Sequence, residues 1–434
     1  MILKYLNGNQ KNFKKKLENL LDTRRTQEPR KLFLVKKIIS EVKKNKDKAL
    51  IKYEKKFTKT KKININNLKF TNSEIKKTLN KLDKKTKKSI DLAFNRIFKF
   101  HKKQSLNNFK LVDKYKNQLS YSSSSIKRVG IYVPGGTASY PSTVLMNCIP
   151  ALIAGVKEIY MTTPTIGKKY NSAVLYAAKK CKVKEIYKAG GVQAIAAFAY
   201  GTKLISKVDK IVGPGNKYVA LAKKEVFGDV GIDMIAGPSE VTIIADQTCN
   251  PEWVASDLIA QAEHDEHAQS IVITNSKNII KKINFYINEQ LKFLSKKKIA
   301  SKSLKKFGFV VYAKGIEQIA NIVNIISPEH LEICTHNPNK YLKKIHNAGS
   351  IFLGNFSPEA MGDYLAGTNH VLPTSGSARF SSGLSVYDFI KRHSIIKISK
   401  SGIERLGASV INLAEYENLE GHANSVKLRI NRKK

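Results

Sequence analysis

Short apolar runs alternate with helical stretches from residue 128 to residue 246, and glycine or proline closes most of the runs. Val129–Val133 ends in Pro134-Gly135-Gly136, Glu185–Lys188 in Ala189-Gly190-Gly191, Lys210–Val212 in Gly213-Pro214-Gly215-Asn216, and Met234-Ile235 in Ala236-Gly237-Pro238-Ser239. Helical spacing fills the intervals near Val144–Val156, Ala173–Cys181, Ala194–Ala199 and Tyr218–Val226. Strand, tight turn and helix in repetition predict a parallel sheet covered on both faces. Open sheets of this kind bind ligands beyond the carboxyl ends of their strands, where glycine lets the backbone approach closely. One such turn occurs in any α/β domain. Four on one edge point to a ligand crevice.

A second α/β stretch follows, with strands at Val241–Ala245, Ser270–Thr274, Phe309–Tyr312 and Ser350–Phe352. Between the first two lies a well-marked helix. Asn250 suits its N-cap, Pro251 its first turn, and Trp253, Val254, Leu258 and Ile259 its apolar positions. Upstream, residues 1–30 read as a charged helical arm with a short stripe of Phe13, Leu17, Leu20 and Leu21. From 31 to about 120 the pattern is helical and lysine-rich, with Leu32, Phe33, Val35, Ile38, Ile39 and Val42 in one helix and Ile90, Phe94, Ile97 and Phe98 in another. The tail, 380–434, holds a helix from Gly402 to about Leu413, then polar Glu415–His422 and Val426–Ile430. It has too little apolar surface for a core of its own, so it is expected to pack on another domain or subunit.

At 434 residues the chain is long enough for two or more domains. Its net charge of +43 raises the question of nucleic acid, because basic surfaces bind phosphate backbones. About ten of the 77 basic residues are arginine, and the lysines are spread along the chain without aromatic stacking motifs or zinc-finger spacing. The charge is therefore read as a solvated surface that affects solubility and adhesion, with no nucleic-acid partner. Cys148, Cys181, Cys249 and Cys334 are far apart and form no CxxC pair, as expected of reduced, buried thiols in the cytoplasm. No apolar run approaches the ~20 residues of a membrane span, so no membrane association is expected.

Gln261 and His264 close the marked helix three residues apart, so an amide oxygen and an imidazole project the same way. Zinc accepts such ligands, and Asp363 and His422 could complete a set, although a Gln/His pair alone is more often a solvated helix face. Ser327-Pro328-Glu329-His330 is a second dense signal. Read as a helix start, it puts Ser327 at the N-cap and places Glu329 as an anion and His330 as a neutral base in the first turn. A capping carboxylate beside an incidental histidine fits the same spacing. His264, His330, His370 and His422, with Glu329, Asp363 and Glu417, concentrate seven ionisable groups in the last 180 or so residues. No GxGxxG follows a strand. The residues alone reach a zinc-assisted α/β enzyme with a histidine base, and a zinc hydrolase stays open.

Taken in order, Arg128–Gly136, Gly213-Pro214-Gly215-Asn216, Ala236-Gly237-Pro238-Ser239-Glu240, Gln261-Ala262-Glu263-His264, Pro328-Glu329-His330-Leu331 and Gly367-Thr368-Asn369-His370 resemble the histidinol dehydrogenase family from about residue 20 to the C-terminus. The resemblance implies oxidation of L-histidinol through histidinaldehyde to L-histidine, reducing two NAD in succession. It implies a zinc-dependent homodimer whose tail crosses to the partner, and zinc ligands Gln261, His264, Asp363 and His422. His330 would be the base and Glu329 the group that activates water. Ser239, His370 and Glu417 would touch substrate with the ligand residues and His330; Tyr132, Gln193 and Asn216 would touch NAD. It also implies two incomplete Rossmann-like parallel-sheet domains: one from 31–127 and 236–379 with the zinc and catalytic residues, the other 128–235, besides the arm 1–30 and a small tail domain 380–434. His267, three residues after His264, is an extra histidine that could compete for metal.

Overall fold

Two parallel sheets organise the described chain, which comprises residues 2–24, 29–58, 63–104, 108–135, 140–165 and 170–430 of a computed structural model. Gly136, the last residue of the first predicted turn, lies outside the described residues.

The five-stranded sheet runs Glu185–Tyr187, Glu158–Thr162, Arg128–Tyr132, Lys210–Val212, Gly231–Ile232, and every pairing is parallel. The first of these strands in sequence sits in the middle, so chain order reverses there. Side chains alternate between faces as the pleat dictates. Val129 and Ile131 join the core under helices Pro141–Ala154 and Ser172–Lys180, whereas Tyr132 and Ile211 join the core under Gly191–Tyr200 and Lys217–Val226. The sequence pattern runs the preceding helix to Val156 and misses strand Glu158–Thr162, although Gly155 closes that helix in a left-handed conformation (φ 87). The strand expected at Met234-Ile235 lies earlier, at Gly231–Ile232. It ends because Asp233 turns its carboxylate back to accept from Gly213 N at 2.8 Å.

Helix Pro29–Thr58 packs on Gly191–Tyr200 and Lys217–Val226, and helix Lys84–His101 packs on Pro141–Ala154. These helices of 31–127 thus pack over the helices that flank the five-stranded sheet.

The six-stranded sheet runs Lys4–Asn7, Phe309–Tyr312, Gln269–Thr274, Glu240–Ala245, His330–Cys334, Ser350–Leu353, again all parallel. Val241, Ile243 and Ala245 face one core and Ile244 faces the other. The arm is not wholly helical: Lys4–Asn7 is an edge strand, and the helix is Phe13–Asp22. Four residues are too few to show a period of two against a helical background.

A third, antiparallel sheet joins Ile390–Lys397 to Gln118–Ser125 and then Lys110–Val112. The stretch Ser120–Ser125 carries no apolar alternation beyond Tyr121, which is why the sequence pattern misses it. The tail continues as helices Lys400–Tyr416 and Glu420–Ile430, packed on each other. Leu413, Tyr416 and Leu428 stand exposed on them, as does Ile396 on the strand. Among the described residues no helix is long and apolar enough to cross a membrane.

Candidate active site

Glu240 and His330 each begin a central strand of the six-stranded sheet, side by side at its amino edge. The main chain of Glu240 serves two functional side chains. Its N–H donates to Glu329 Oε2 at 3.0 Å, and its carbonyl oxygen lies 3.2 Å from His330 Nδ1. The ionisable cluster therefore sits at strand amino ends of the six-stranded sheet, apart from the glycine-rich turns of the other sheet where the sequence placed the crevice.

Ser327-Pro328 does not start a helix. Ser327 closes helix Ile316–Ile326 in a left-handed conformation (φ 50, ψ 61), and His330 opens a buried strand. Leu331 and Ile333 pack into one face of the sheet, which is what fixes the strand. The helix-dipole account of both side chains consequently falls, and burial replaces it. Burial, with the carboxylates of Glu240 and Asp363 adding to it, pushes the Glu329 carboxyl well above its usual range. Burial pushes His330 down to about 4. A neutral imidazole whose Nδ1 faces a carbonyl carries its hydrogen there and leaves Nε2 bare. His330 Nε2 is buried without a hydrogen-bond partner and lies 3.9 Å from Asp363 Oδ1.

Helix Pro251–Ala262 delivers Gln261, fully buried, at its last turn. Asn250 caps it through Oδ1, accepting from Glu252 N and Trp253 N. His264 stands exposed just beyond the C-cap. His264, Glu359 and Asp363 each offer a ligand atom within 4.8 Å of the others. Glu359 was not foreseen; its only signal is that it precedes Asp363 by four residues in a short helix, Glu359–Tyr364. Gly362 lets that helix approach, because a Cβ there would meet Phe352 at 2.6 Å, and Phe352 flanks the His330 ring. One orientation of the Gln261 amide accepts from His330 Nδ1 at 3.3 Å; the other turns its nitrogen toward Glu359, 3.1 Å from either carboxylate oxygen. That leaves its oxygen as the atom a metal would take. One imidazole, carboxylates and an amide oxygen suit zinc. Burial pushes Glu359 well above the carboxylate range, and so does the neighbouring Asp363.

Asp363 and His370 hang between the two sheets. His370 Nδ1 lies 3.0 Å from Asp363 O. Asn369 Nδ2 donates to Met146 O at 2.7 Å on the helix following Arg128–Tyr132. His267 turns away to Asp265 Oδ1 at 3.0 Å and takes no part in the cluster. His422 and Glu417 are exposed on the tail, and His422 is not among the clustered ligands of its own chain.

Tyr132, Gln193 and Asn216 come together along the carboxyl edge of the five-stranded sheet, after three of its strands. Gly191 N donates to Tyr132 Oη at 3.1 Å, and Asn216 Oδ1 caps helix Lys217–Val226. Gly213 (φ +111) makes the turn possible, because a Cβ there would lie 2.1 Å from Tyr132 O. Gln193 Nε2 donates to Glu54 Oε1 at 2.7 Å, while Gln193 Oε1 is buried without a partner. An orphaned buried acceptor on the crevice edge fits a dinucleotide that brings a donor to it.

The family profile described as Histidinol dehydrogenase matches residues 22–430. The chain belongs to the histidinol dehydrogenase family. Histidinol dehydrogenase of Pelagibacter ubique is 56% identical over 433 residues, 100% of each chain. That of Clostridium acetobutylicum is 48% identical over 396 residues, 91% of each. A crystal structure of histidinol dehydrogenase from Elizabethkingia anophelis matches with a TM-score of 0.92 at 40% identity, covering 99% of this chain and 98% of that one. The chain is therefore an enzyme of the histidinol dehydrogenase type, an oxidoreductase of the last step of histidine biosynthesis.

Proposed function

We propose that the enzyme oxidises L-histidinol through L-histidinaldehyde to L-histidine with zinc and NAD. The observation that carries the mechanism is His330, a buried neutral imidazole with Nδ1 turned to Glu240 O and Nε2 left bare. A base of that kind removes the proton of an alcohol, and later that of a hydrated aldehyde. Bound zinc supplies a Lewis acid that orients substrate, and bound NAD accepts the hydride. Gln261, His264 and Asp363 would hold the metal, with Glu359 beside them and His422 arriving from a second subunit. Ser239, His370 and Glu417 would contact substrate, and Tyr132, Gln193 and Asn216 would contact NAD.

Glu329 suits the second oxidation. Burial raises its pKa, which makes the ionised carboxylate a stronger base than an exposed one. It would take a proton from the water that adds to the aldehyde, and Glu240 N keeps its oxygen in place.

The exposed apolar side chains of the tail support a homodimer with shared sites. A cytoplasmic location follows from the biosynthetic role. Absorbance of NADH after mixing enzyme, histidinol, NAD and zinc tests the whole reading. Two NADH per histidinol are expected. No NADH from histidinol would overturn it.

A further inference from the structure

We propose that Arg24 is a positioning residue of the reaction centre, a strap from the N-terminal segment that fixes the Glu240 main chain against which Glu329 and His330 are held. Four acceptors from two segments distant in sequence, 238–240 and 267–269, converge on one guanidinium. Nη1 donates to Glu240 Oε2 at 2.6 Å and to Gln269 Oε1 at 2.8 Å. Nη2 donates to Pro238 O at 2.8 Å, and Nε to His267 O at 3.2 Å. The pair it forms with Glu240 is almost wholly buried, with side chains 3% and 4% exposed.

The consequence lies in what Glu240 does with its backbone. The residue whose carboxylate Arg24 grips is the one whose N–H holds Glu329 and whose carbonyl faces His330 Nδ1. Pro238 lies one residue before Ser239, and His267 three residues after His264. Arg24 therefore fixes the segment that holds the base and the water-activating carboxylate and that bears a substrate contact, and it ties this to the turn after a metal ligand, while touching none of the reacting atoms itself. Stability alone is a weak reason for such a pair, because apolar replacement of a buried ion pair is often neutral or stabilising. Geometry is the stronger one: a planar fork with five donors satisfies several fixed acceptors at once, which an ammonium cannot.

The inference rests on His330 and Glu329 being the reacting groups. The test therefore begins with wild type and His330→Asn, and then takes Arg24→Gln and Arg24→Lys. Each NADH-forming step is followed in single turnovers. Folded chain is counted by circular dichroism, and NAD affinity is measured without histidinol from the fluorescence of the single tryptophan. Arg24→Gln is expected to lower both rates per folded chain by roughly 10- to 100-fold, as a misplacement of about 1 Å does. Arg24→Lys should fall between, and NAD affinity should not change, because its residues line the other sheet. Rates per folded chain equal to wild type in both variants would overturn the strap, leaving Arg24 a fold-stabilising ion pair. If Arg24→Gln does not fold, Arg24→Lys decides by the same measure. An active His330→Asn would remove the reading of the site itself, a failure distinct from that of Arg24.

Discussion

His330 Nδ1 lies 3.2 Å from the carbonyl oxygen of Glu240, an acceptor for a hydrogen on that nitrogen. The residue beside His330 in the neighbouring strand is Val241, so the sheet's own register sets the orientation of the base. Asparagine at position 330 keeps a donor for that carbonyl but offers no base. His330→Asn is expected to slow both oxidations by about 10²–10⁴-fold while binding NAD normally. Stopped-flow NADH absorbance for each step checks this, and a loss confined to one step would contradict it.

Glu329→Gln separates the two oxidations. Only the second requires water to add to an aldehyde, so oxidation of histidinaldehyde is expected to suffer more than oxidation of histidinol. Glutamine preserves an acceptor for Glu240 N, which keeps the local chain in place. Equal damage to the two single-turnover rates would show that Glu329 holds His330 and does not activate water.

Metal content tests the cluster. His264→Ala removes one of the three clustered ligands and is expected to abolish zinc binding and activity together. Glu359→Gln keeps the bulk and is expected to weaken zinc affinity by about 10- to 100-fold, whether Glu359 binds the ion or orients Gln261. Titration with a chelator, read by elemental analysis, measures both. Full zinc in His264→Ala would mean that the ligands are wrongly chosen.

The crossing tail has its own test. His330→Ala and His422→Ala are each expected to be inactive, yet a mixture should recover activity after subunit exchange. One hybrid site would then carry an intact base and an intact tail histidine. Failure to recover after exchange verified by mass spectrometry would count against sites shared between subunits.

Glu54 gives a pH dependence with a definite sign. Burial raises its pKa from 4.5 to about 7, although Gly190 N and Gln193 Nε2 donate to it. The folded state holds the proton more tightly than the unfolded one. Its contribution to stability is therefore complete below pH 4.5 and lost as pH rises through about 7, a change of about 3 kcal/mol. Glu54→Gln keeps the acceptor and cannot ionise. Wild type is expected to lose up to about 3 kcal/mol relative to this variant between pH 5 and pH 8, read from urea unfolding. A pH-independent difference would show that Glu54 carries no such proton.

Much of this architecture is legible in the sequence, for local reasons. Helix Pro251–Ala262 announces itself by its cap, its proline and its apolar spacing, and Lys210–Val212 and Phe309–Tyr312 fall where short apolar runs place them. His264, His330 and Asp363 emerge from their motifs. What the sequence hides is tertiary. Ser327-Pro328 has the composition of a helix start, yet strand packing of Leu331 and Ile333 overrides it. Arg24 carries no periodic or motif signal, since its partners lie far along the chain, and Glu359 shows only its four-residue spacing from Asp363. Gln118–Ser125 becomes a strand only because Ile390–Lys397 pairs with all eight of its residues.

Strand Lys4–Asn7 pairs with Phe309–Tyr312. This strand must therefore wait during synthesis for a partner about 300 residues behind it on the ribosome, a non-local closure that folds slowly. Arg24 follows that strand and reaches Glu240 and Gln269. Assembly of the catalytic centre is thus tied to completion of the sheet edge. Fragments that stop short of Phe309 leave the edge strand unmatched, and a nascent chain has no working enzyme to offer until the whole unit has emerged.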